Sequence, residues 1–450
     1  MSRRKEKLSL GAFLLFTGHH VAAWRSPQAS DSQSLADFVQ FARIAEEAKF
    51  DAIFLADMVG VRVDRIEASS HKAHSGVYPF EPLTLLSALA AVTSRIGLVA
   101  TVSTSYSEPF NVARQFGSLD RLSGGRSGWN LVTSTEASAA LNFNHDGLVA
   151  HAERYARAEE FADVVLGLWD SWDHDAFERD RASGRYFDPE KLHLLNHQGR
   201  HFKVRGPLNI PPSPQGRPVL VQAGSSGPGK ELAARTAEAI FTAQQTLEDA
   251  VSFYSDVKGR LPKYGRDADE LKILPGIFPV VAETESEAKE KFDELQSLIL
   301  PQVGLDLLAG FLGAPEIVHA DPNGPIPALK ETEGGKSRQA LLLELARREG
   351  LTVRDLYLRI AGARGHWQLV GTPVQIADQL EERFQNYGAD GFNIMAPTLP
   401  GGLTDFIRLV VPELRRRGLF RDEYEGTTLR DHLGLRRPQP ARRPAAVAAE

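Results

Sequence analysis

Residues 96–134 read IGLVATVSTSYSEPFNVARQFGSLDRLSGGRSGWNLVTS. The stretch opens on a short apolar run, Ile96 to Val102, with the β-branched content of a strand. A helix-period segment follows from about Val112 to Leu122. Leu122-Ser123-Gly124-Gly125-Arg126 then supplies a helix C-cap and a turn. A second apolar run, Ser127 to Val132, completes a strand–helix–strand unit, which makes the two strands parallel neighbours.

The same rhythm extends in both directions. Upstream lie Leu8 to Phe16 with the helix Leu35 to Ala48, whose apolar residues fall at 35, 38, 39, 41, 42 and 45, and then Ala52 to Ala56 with a helix from about Pro82 to Val92. Downstream come the helix His151 to Trp172, the strand Val219 to Ala223 with a helix near Lys230 to Ala237, and Ala239 to Thr242 with a helix to Lys258. Leu271 to Ala282 with Ser286 to Leu300, and Gly391 to Met395 with Asp405 to Arg416, bring the total to eight units. Eight β/α units favour closure, so the expected fold is a (β/α)8 TIM barrel. One barrel domain is expected over residues 1–433, with insertions at about 173–218, after helix four, and 301–371, between strands seven and eight. The second insertion has helical segments of its own, Arg338 to Arg348 and Val353 to Ile360, and suits a lid or pocket wall. Residues 434–450, basic and rich in Pro and Ala, read as a disordered tail.

Composition narrows the function. Hydrophobic residues at 42% and charged residues at 24% fit a globular chain rather than a disordered or membrane-spanning one. The net charge of −6, without a basic stripe carrying interleaved aromatics, argues against nucleic acid. Cysteine is absent, which excludes disulfides, thiolate metal sites and cysteine nucleophiles. Ser2 to Lys7 is basic and Leu8 to Phe16 apolar, but Thr17-Gly18-His19-His20 makes a poor cleavage site, so the run reads as the first strand of a cytoplasmic protein. His19-His20 and His71 with His74 are the close histidine pairs, and neither sits in a zinc-binding pattern.

In a β/α barrel the strands' C-terminal ends line the active site. Strand one delivers Phe16 to His20 and then Trp24-Arg25, which either face an aromatic or anionic ligand or form a surface loop. Strand two ends at Asp57, a ligand acceptor or a cap for the following turn. Strand three ends in the hydroxyls Thr101, Ser103, Thr104 and Ser105, and strand four in Asn130, an amide that needs a partner if it faces the interior. His151 and Tyr155 share one face near a helix N-terminus and could hold a phosphate or a ring edge, or simply pack. After strand five, Gly224-Ser225-Ser226 precedes a helix, and small residues there let backbone amides and hydroxyls approach a phosphate. Gly224 to Lys230 also fits the first half of a nucleotide-triphosphate loop, but Glu231 stands where Ser or Thr would hold magnesium.

Taken together, TGHHVAAWR (17–25), KFDAIFLAD (49–57), EPLTLLSALAAVTSRIGL (81–98), the run 100–134, HAERYARAEEF (151–161), residues 196–226 and GFNIM (391–395) resemble the bacterial-luciferase-like superfamily. The similarity is to its branch of nitrilotriacetate, dibenzothiophene-sulfone and pristinamycin-type monooxygenases, and it spans about Leu10 to Leu433. The resemblance implies an oxygenase that receives FMNH2 from a separate NAD(P)H:FMN reductase, activates O2 as a peroxyflavin and oxygenates a small organic molecule, often cleaving a carbon–heteroatom bond. It places the flavin at Asp57, Thr101, Ser103, Asn130, His151, Tyr155, Gly224, Ser225 and Ser226. His19, His20 and Arg25 are the candidates for assisting proton transfer, and Trp24, Phe80, His366 and Trp367 for an apolar pocket suited to an aromatic or sulfur compound. A homo-oligomer, dimer or tetramer, is expected. The competing readings are a deazaflavin F420-dependent oxidoreductase of the same fold and a nucleotide triphosphatase using Gly224 to Lys230.

Overall fold

The computed structural model describes residues 4–31, 33–61, 63–73, 77–330 and 336–438. The strands β1 (Ser9–Phe13), β2 (Ala52–Leu55), β3 (Gly97–Ser103), β4 (Ser127–Val132), β5 (Val219–Gln222), β6 (Ala239–Thr242) and β7 (Lys272–Val281) pair in parallel in chain order. The last strand, β9 (Gly391–Ile394), closes the ring. It pairs with β7 through Asn393 and Gly276, and with β1 through Gly391 and Ser9. The expected eight strands thus form a closed barrel. Leu8 to Phe16 is shorter as a strand than its apolar run suggests: Leu14 still donates to the Phe54 carbonyl, and beyond it the chain turns away.

A ninth strand, β8 (Trp367–Gly371), was not expected from the sequence. It pairs in parallel with Ile277 to Val281, the part of β7 that outruns the ring. Ten residues let β7 serve both purposes: its first half pairs with β6 and β9, its second with β8.

The helices α1 (Leu35–Glu47), α2 (Pro82–Ala90), α3 (Pro109–Ser123), α4 (His151–Trp169), α5 (Gly227–Thr236), α6 (Leu247–Arg260) and α7 (Glu285–Ser297) follow the first seven strands. Their starts are set by local chemistry: Ser34 with Asp37 and Thr284 with Glu287 form capping boxes, and Glu81 caps α2 ahead of Pro82. Gly124, at φ 71°, ends α3 in the left-handed conformation that glycine adopts without strain. After α7, α8 (Pro301–Leu312), α9 (Lys336–Glu349) and α10 (Val353–Ala361) pack around their own core of Leu308, Leu312, Leu342, Leu356 and Ile360. Between α4 and β5, the chain makes a short antiparallel pairing of His197–Gln198 with Lys203–Val204. After β8 comes α11 (Pro373–Gln385), and after β9 the run Gly401–Asp405, the π turn Phe406–Val410 and Val411–Arg416.

One core lies between strands and helices and includes Leu10, Phe38, Leu98, Phe116, Trp129 and Phe392. Another fills the barrel with Phe13, Phe54, Val99, Val219, Val221 and Met395. The lower end is plugged from the far end of the chain by Leu429 and Leu433. Gly97 and Gly128 admit Leu429, since a Cβ on either would press on its side chain. Most of the tail, residues 439–450, lies outside the described residues. No single helix among the described residues is long and apolar enough to cross a membrane.

Candidate active site

Because the eight ring strands are parallel, their C-terminal ends share one face, and the alternation of side chains decides which residues enter the lumen. In β3 the lumen side carries Val99, Thr101 and Ser103, and in β4 it carries Gly128 and Asn130, while Trp129 packs outward on Phe116 and Phe161. Thr101 and Asn130 are register partners. The Thr101 hydroxyl donates to the Leu55 carbonyl at 2.8 Å, so its oxygen can only accept from Asn130, whose Nδ2 donates to it at 2.8 Å. This chain fixes the amide's orientation and leaves Asn130 Oδ1 buried without a partner among the described residues. Ser103 Oγ shares a 2.7 Å hydrogen bond with Ser134 Oγ.

Above the aliphatic layer, an aromatic layer floors the mouth. The Phe13 ring meets Phe54 at 4.8 Å and Phe241 at 5.5 Å, and His366 stacks on Phe241 at 4.8 Å. Gly276 makes room for this: a Cβ there would come within 2.7 Å of the Phe241 ring and 2.8 Å of Met395 Sδ. His19 sets its edge on Phe13 at 4.4 Å. Its Nε2 lies 3.0 Å from the Phe13 carbonyl and its Nδ1 2.5 Å from Arg364 Nη2. A carbonyl can only accept and a guanidinium can only donate, so His19 is the neutral Nε2–H tautomer with both nitrogens engaged.

His20 and Arg25 turn away from the lumen. His20 Nε2 meets Gln296 Oε1 at 3.1 Å, and burial holds its imidazole at about 4, against the pull of that hydrogen bond, so it is neutral at pH 7. Arg25 donates to the Leu298 carbonyl. Of the expected pocket aromatics only His366 joins the lumen cluster. Trp24 donates to the His71 carbonyl at 3.1 Å, Phe80 packs on Phe38, and the Trp367 ring lies under the Arg383 guanidinium at 3.7 Å on the helix side. His71 lies 3.5 Å from Glu67, and His74 is outside the described residues.

Asp57 stands at the rim. Burial pushes its carboxyl up to about 6 despite the Met58 amide donating to it at 2.9 Å, and the Glu81 charge adds to the rise. Tyr78 is close to both Asp57 and Arg364: burial raises its hydroxyl, with Arg364 opposing and Asp57 reinforcing.

Across the mouth, Gly224, Ser225 and Ser226 lead into α5. Ser226 caps the helix by accepting from the Gly229 amide at 3.2 Å, and its hydroxyl donates to Tyr155 Oη at 3.3 Å. Tyr155 and His151 face each other one turn apart with ring centres 4.7 Å apart. The turn is built for small residues: a Cβ on Gly229 would sit 3.0 Å from Tyr155 Oη and 3.1 Å from both Gly224 Cα and Ser226 Oγ. Ser225 is exposed at this turn. The triphosphate-loop reading fails here, because Lys230 points outward to Asp256 at 2.5 Å and Glu231 is held by Arg260 and Lys263.

Two covers flank the mouth. Arg154 donates to the carbonyls of Ser134 and Val149 and so clasps both ends of the intervening loop, on which Phe143 stacks against Tyr106 at 4.8 Å. On the other side buried Asp306 of α8 pairs with Arg65 and Lys72, tying the insertion to the segment after β2. Sequence reading missed Phe13, Phe54, Phe241, Tyr78 and Arg364. The three phenylalanines fall on the lumen side of their strands and so had a period-two signal, whereas Arg364 had none.

Comparison with known proteins agrees with this architecture. The luciferase-like monooxygenase family matches residues 12–391. N-acetyl-S-(2-succino)cysteine monooxygenase of Bacillus subtilis (strain 168) is 52% identical over 97% of this chain and 99% of its own length. Nitrilotriacetate monooxygenase component A of Aminobacter aminovorans is 52% identical over 96% and 98%. The crystal structure of DmoA from Hyphomicrobium sulfonivorans superposes with a TM-score of 0.87 at 35% identity, covering 95% of this chain and 92% of that one. The chain belongs to the luciferase-like monooxygenase family and is a flavin-dependent monooxygenase.

Proposed function

We propose that the chain is the oxygenase component of a two-component system. It takes up FMNH2 made by a separate NAD(P)H:FMN reductase, by diffusion, and uses O2 to oxygenate a small organic compound with cleavage of a carbon–heteroatom bond. It works in the cytoplasm as a homo-oligomer. The observation that carries the reading is the pairing, on one barrel mouth, of a buried lumen acceptor at Asn130 Oδ1 with a glycine-built turn at Gly224 and Gly229. Support for the division of labour comes from the Aminobacter relative, which is named as a component A.

The residues fit a flavin mononucleotide. Ser225, Ser226, Tyr155 and His151 would take the phosphate at the α5 N-terminus, where the helix dipole favours an anion. Thr101, Ser103, Asn130 and Asp57 would face the polar edge of the ring. Bound FMNH2 supplies the electrons that activate oxygen. The chain's own part is to position and to dry. The floor of Phe13, Phe54 and Phe241 keeps water from below, and the Arg154-clasped loop and the Asp306-anchored insertion shield the mouth. Asp57, titrating at about 6, can hold or release a proton at the rim near neutral pH.

The test is an anaerobic titration with FMNH2. Wild type should bind it, and Gly229→Ala, which crowds Tyr155, Gly224 and Ser226, should weaken binding by about tenfold, the value of roughly one phosphate hydrogen bond. Lys230→Ala should bind as wild type does. No binding by wild type, or equal affinity in Gly229→Ala, would sink the assignment.

A further inference from the structure

We infer that the chain after β2, through residues 58–61 and 63–72, is a strap joining the two covers of the mouth, so that the loop before α4 and the insertion helix α8 open and close as one unit. The functional sense of this coupling rests on the oxygenase reading above; the coupling itself is a property of the bare chain.

The strap begins at the rim, one residue beyond Asp57, and meets the first cover at once. Asn142 Nδ2 donates to the Val59 carbonyl at 3.0 Å. Gly60 packs backbone against backbone on the same loop: a Cβ there would stand 2.8 Å from Ala139 N and 2.9 Å from Ala139 Cα. Neither atom belongs to a side chain that can swing aside, so this approach needs glycine. The loop it meets runs on through Val149, whose carbonyl Arg154 holds, into His151 at the start of α4.

Further along, the strap makes a 3-10 turn, Val63–Arg65, and a short helix, Ile66–Ser69, and reaches the second cover. Arg65 Nη1 donates to Asp306 Oδ1 at 3.0 Å, and Lys72 pairs with Asp306 Oδ2. The Asp306 side chain is only 4% exposed, so both ends of α8's tie lie away from water. A third tie runs from Trp24 to the His71 carbonyl at 3.1 Å.

What lies between these ties makes the strap a transmitter. Gly60 and Ser69 are buried in it, and neither brings an apolar side chain, whereas Val63 and Ile66 are exposed at 72% and 59%. A segment with so little apolar burial has little stability of its own and takes its position from the groups that tie it. Moving either cover alone breaks the buried Asp306 pairing or the Gly60 packing. Moving both covers with the strap breaks neither. A ligand that orders one cover therefore orders the other, by linkage. An oxygenase gains from this, because one event shuts both sides of the mouth against water.

The experiment is hydrogen exchange with mass spectrometry on the full chain, without flavin. Gly60→Ala wedges the strap from the first cover and leaves Asp306 untouched. It should speed exchange in 135–150 directly and in 301–312 by transmission, the latter roughly fivefold, the worth of one hydrogen bond. Asp306→Asn cuts the opposite end and should speed exchange in 135–150 to a similar degree. In the double variant, 301–312 should exchange no faster than in Asp306→Asn alone, since the strap is already cut. Exchange in β3 should match wild type throughout; if one variant unfolds, the other, acting from the opposite end, gives the same decision. An effect of either variant confined to its own side of the mouth, with the far cover within twofold of wild type, would overturn the proposal, as would multiplied effects in the double variant. Either result would leave the oxygenase reading standing, which the FMNH2 titration tests separately.

Discussion

Replacing Asn130 with Asp tests the lumen chain directly, because it changes one atom of the amide and nothing in its shape. In the native chain the Thr101 proton goes to the Leu55 carbonyl, and Asn130 Nδ2 supplies the proton between the two side chains. A carboxylate cannot supply one, so in Asn130→Asp two oxygens face each other across the former 2.8 Å contact. The protonated acid can donate as the amide did. The buried carboxyl should accordingly titrate high. Asp57, on the same mouth and less enclosed, already stands at about 6 against an ordinary 3.8. A similar rise of about two units amounts to about 3 kcal/mol lost at pH 7, at ~1.4 kcal/mol per unit. The sign follows from the raised value: below the unfolded pKa both states are protonated and the deficit disappears, and it grows as pH rises toward the folded pKa. Urea unfolding followed by circular dichroism at pH 4 and pH 7 should show the variant close to wild type in the first and well below it in the second. No deficit at pH 7 would mean that Thr101 turns its hydroxyl to donate to residue 130, and an equal deficit at both values would mean that the carboxylate's charge is not its source; either result refutes the assigned orientation of the amide.

Two further outcomes follow from the rim and the cover. Asp57 titrates at about 6, above its ordinary 3.8, so its charge disfavours the native state as pH rises from about 4 to 6. Asp57→Asn should therefore melt higher than wild type at pH 8 and alike at pH 4, with a gap under about 1 kcal/mol because the group is partly solvated, and thermal melts that stay parallel would refute it. Asp306→Asn strips Arg65 and Lys72 of their shared carboxylate, a change that costs about 3–5 kcal/mol when one member of a buried pair is removed. It should speed proteolysis within the insertion and raise hydrogen peroxide released per FMNH2 consumed, and unchanged coupling would show that the insertion does not seal the mouth.

The ring was legible because each of its strands is a short apolar run between turn signals, and lumen and helix faces are both apolar in a closed parallel sheet. β8 was passed over for a specific reason: WQLVG is a short run inside a stretch read as insertion, and its strand pairs with β7 alone, outside the ring. A signal for α11 did exist, in Thr372, Pro373 and Gln375, which form a capping box. Polar strand ends such as Thr101 and Asn130 were legible by parity. Lys230 kept the triphosphate loop open as a rival that Glu231 already opposed, because spacing shows a residue's place in a loop and not the partner it finds; Asp256 lies on the next helix. Arg364 was out of reach on the same grounds, since its contact with His19 joins residues 345 positions apart.

The plug at the barrel's lower end also orders events in time. The window that receives Leu429 is framed by Gly97 and Gly128, which leave the ribosome some three hundred residues before their occupant does. The seam between β1 and β9 likewise waits for Gly391. During synthesis, then, most of the barrel exists as an open, curved sheet with both an unpaired β1 edge and an unfilled base, and it becomes a sealed vessel only when Leu429 and Leu433 arrive. Nascent chains of this protein carry an open edge until Gly391 emerges and an unfilled base until Leu429 does, and a stop shortly before Leu429 leaves a complete ring of strands without its plug.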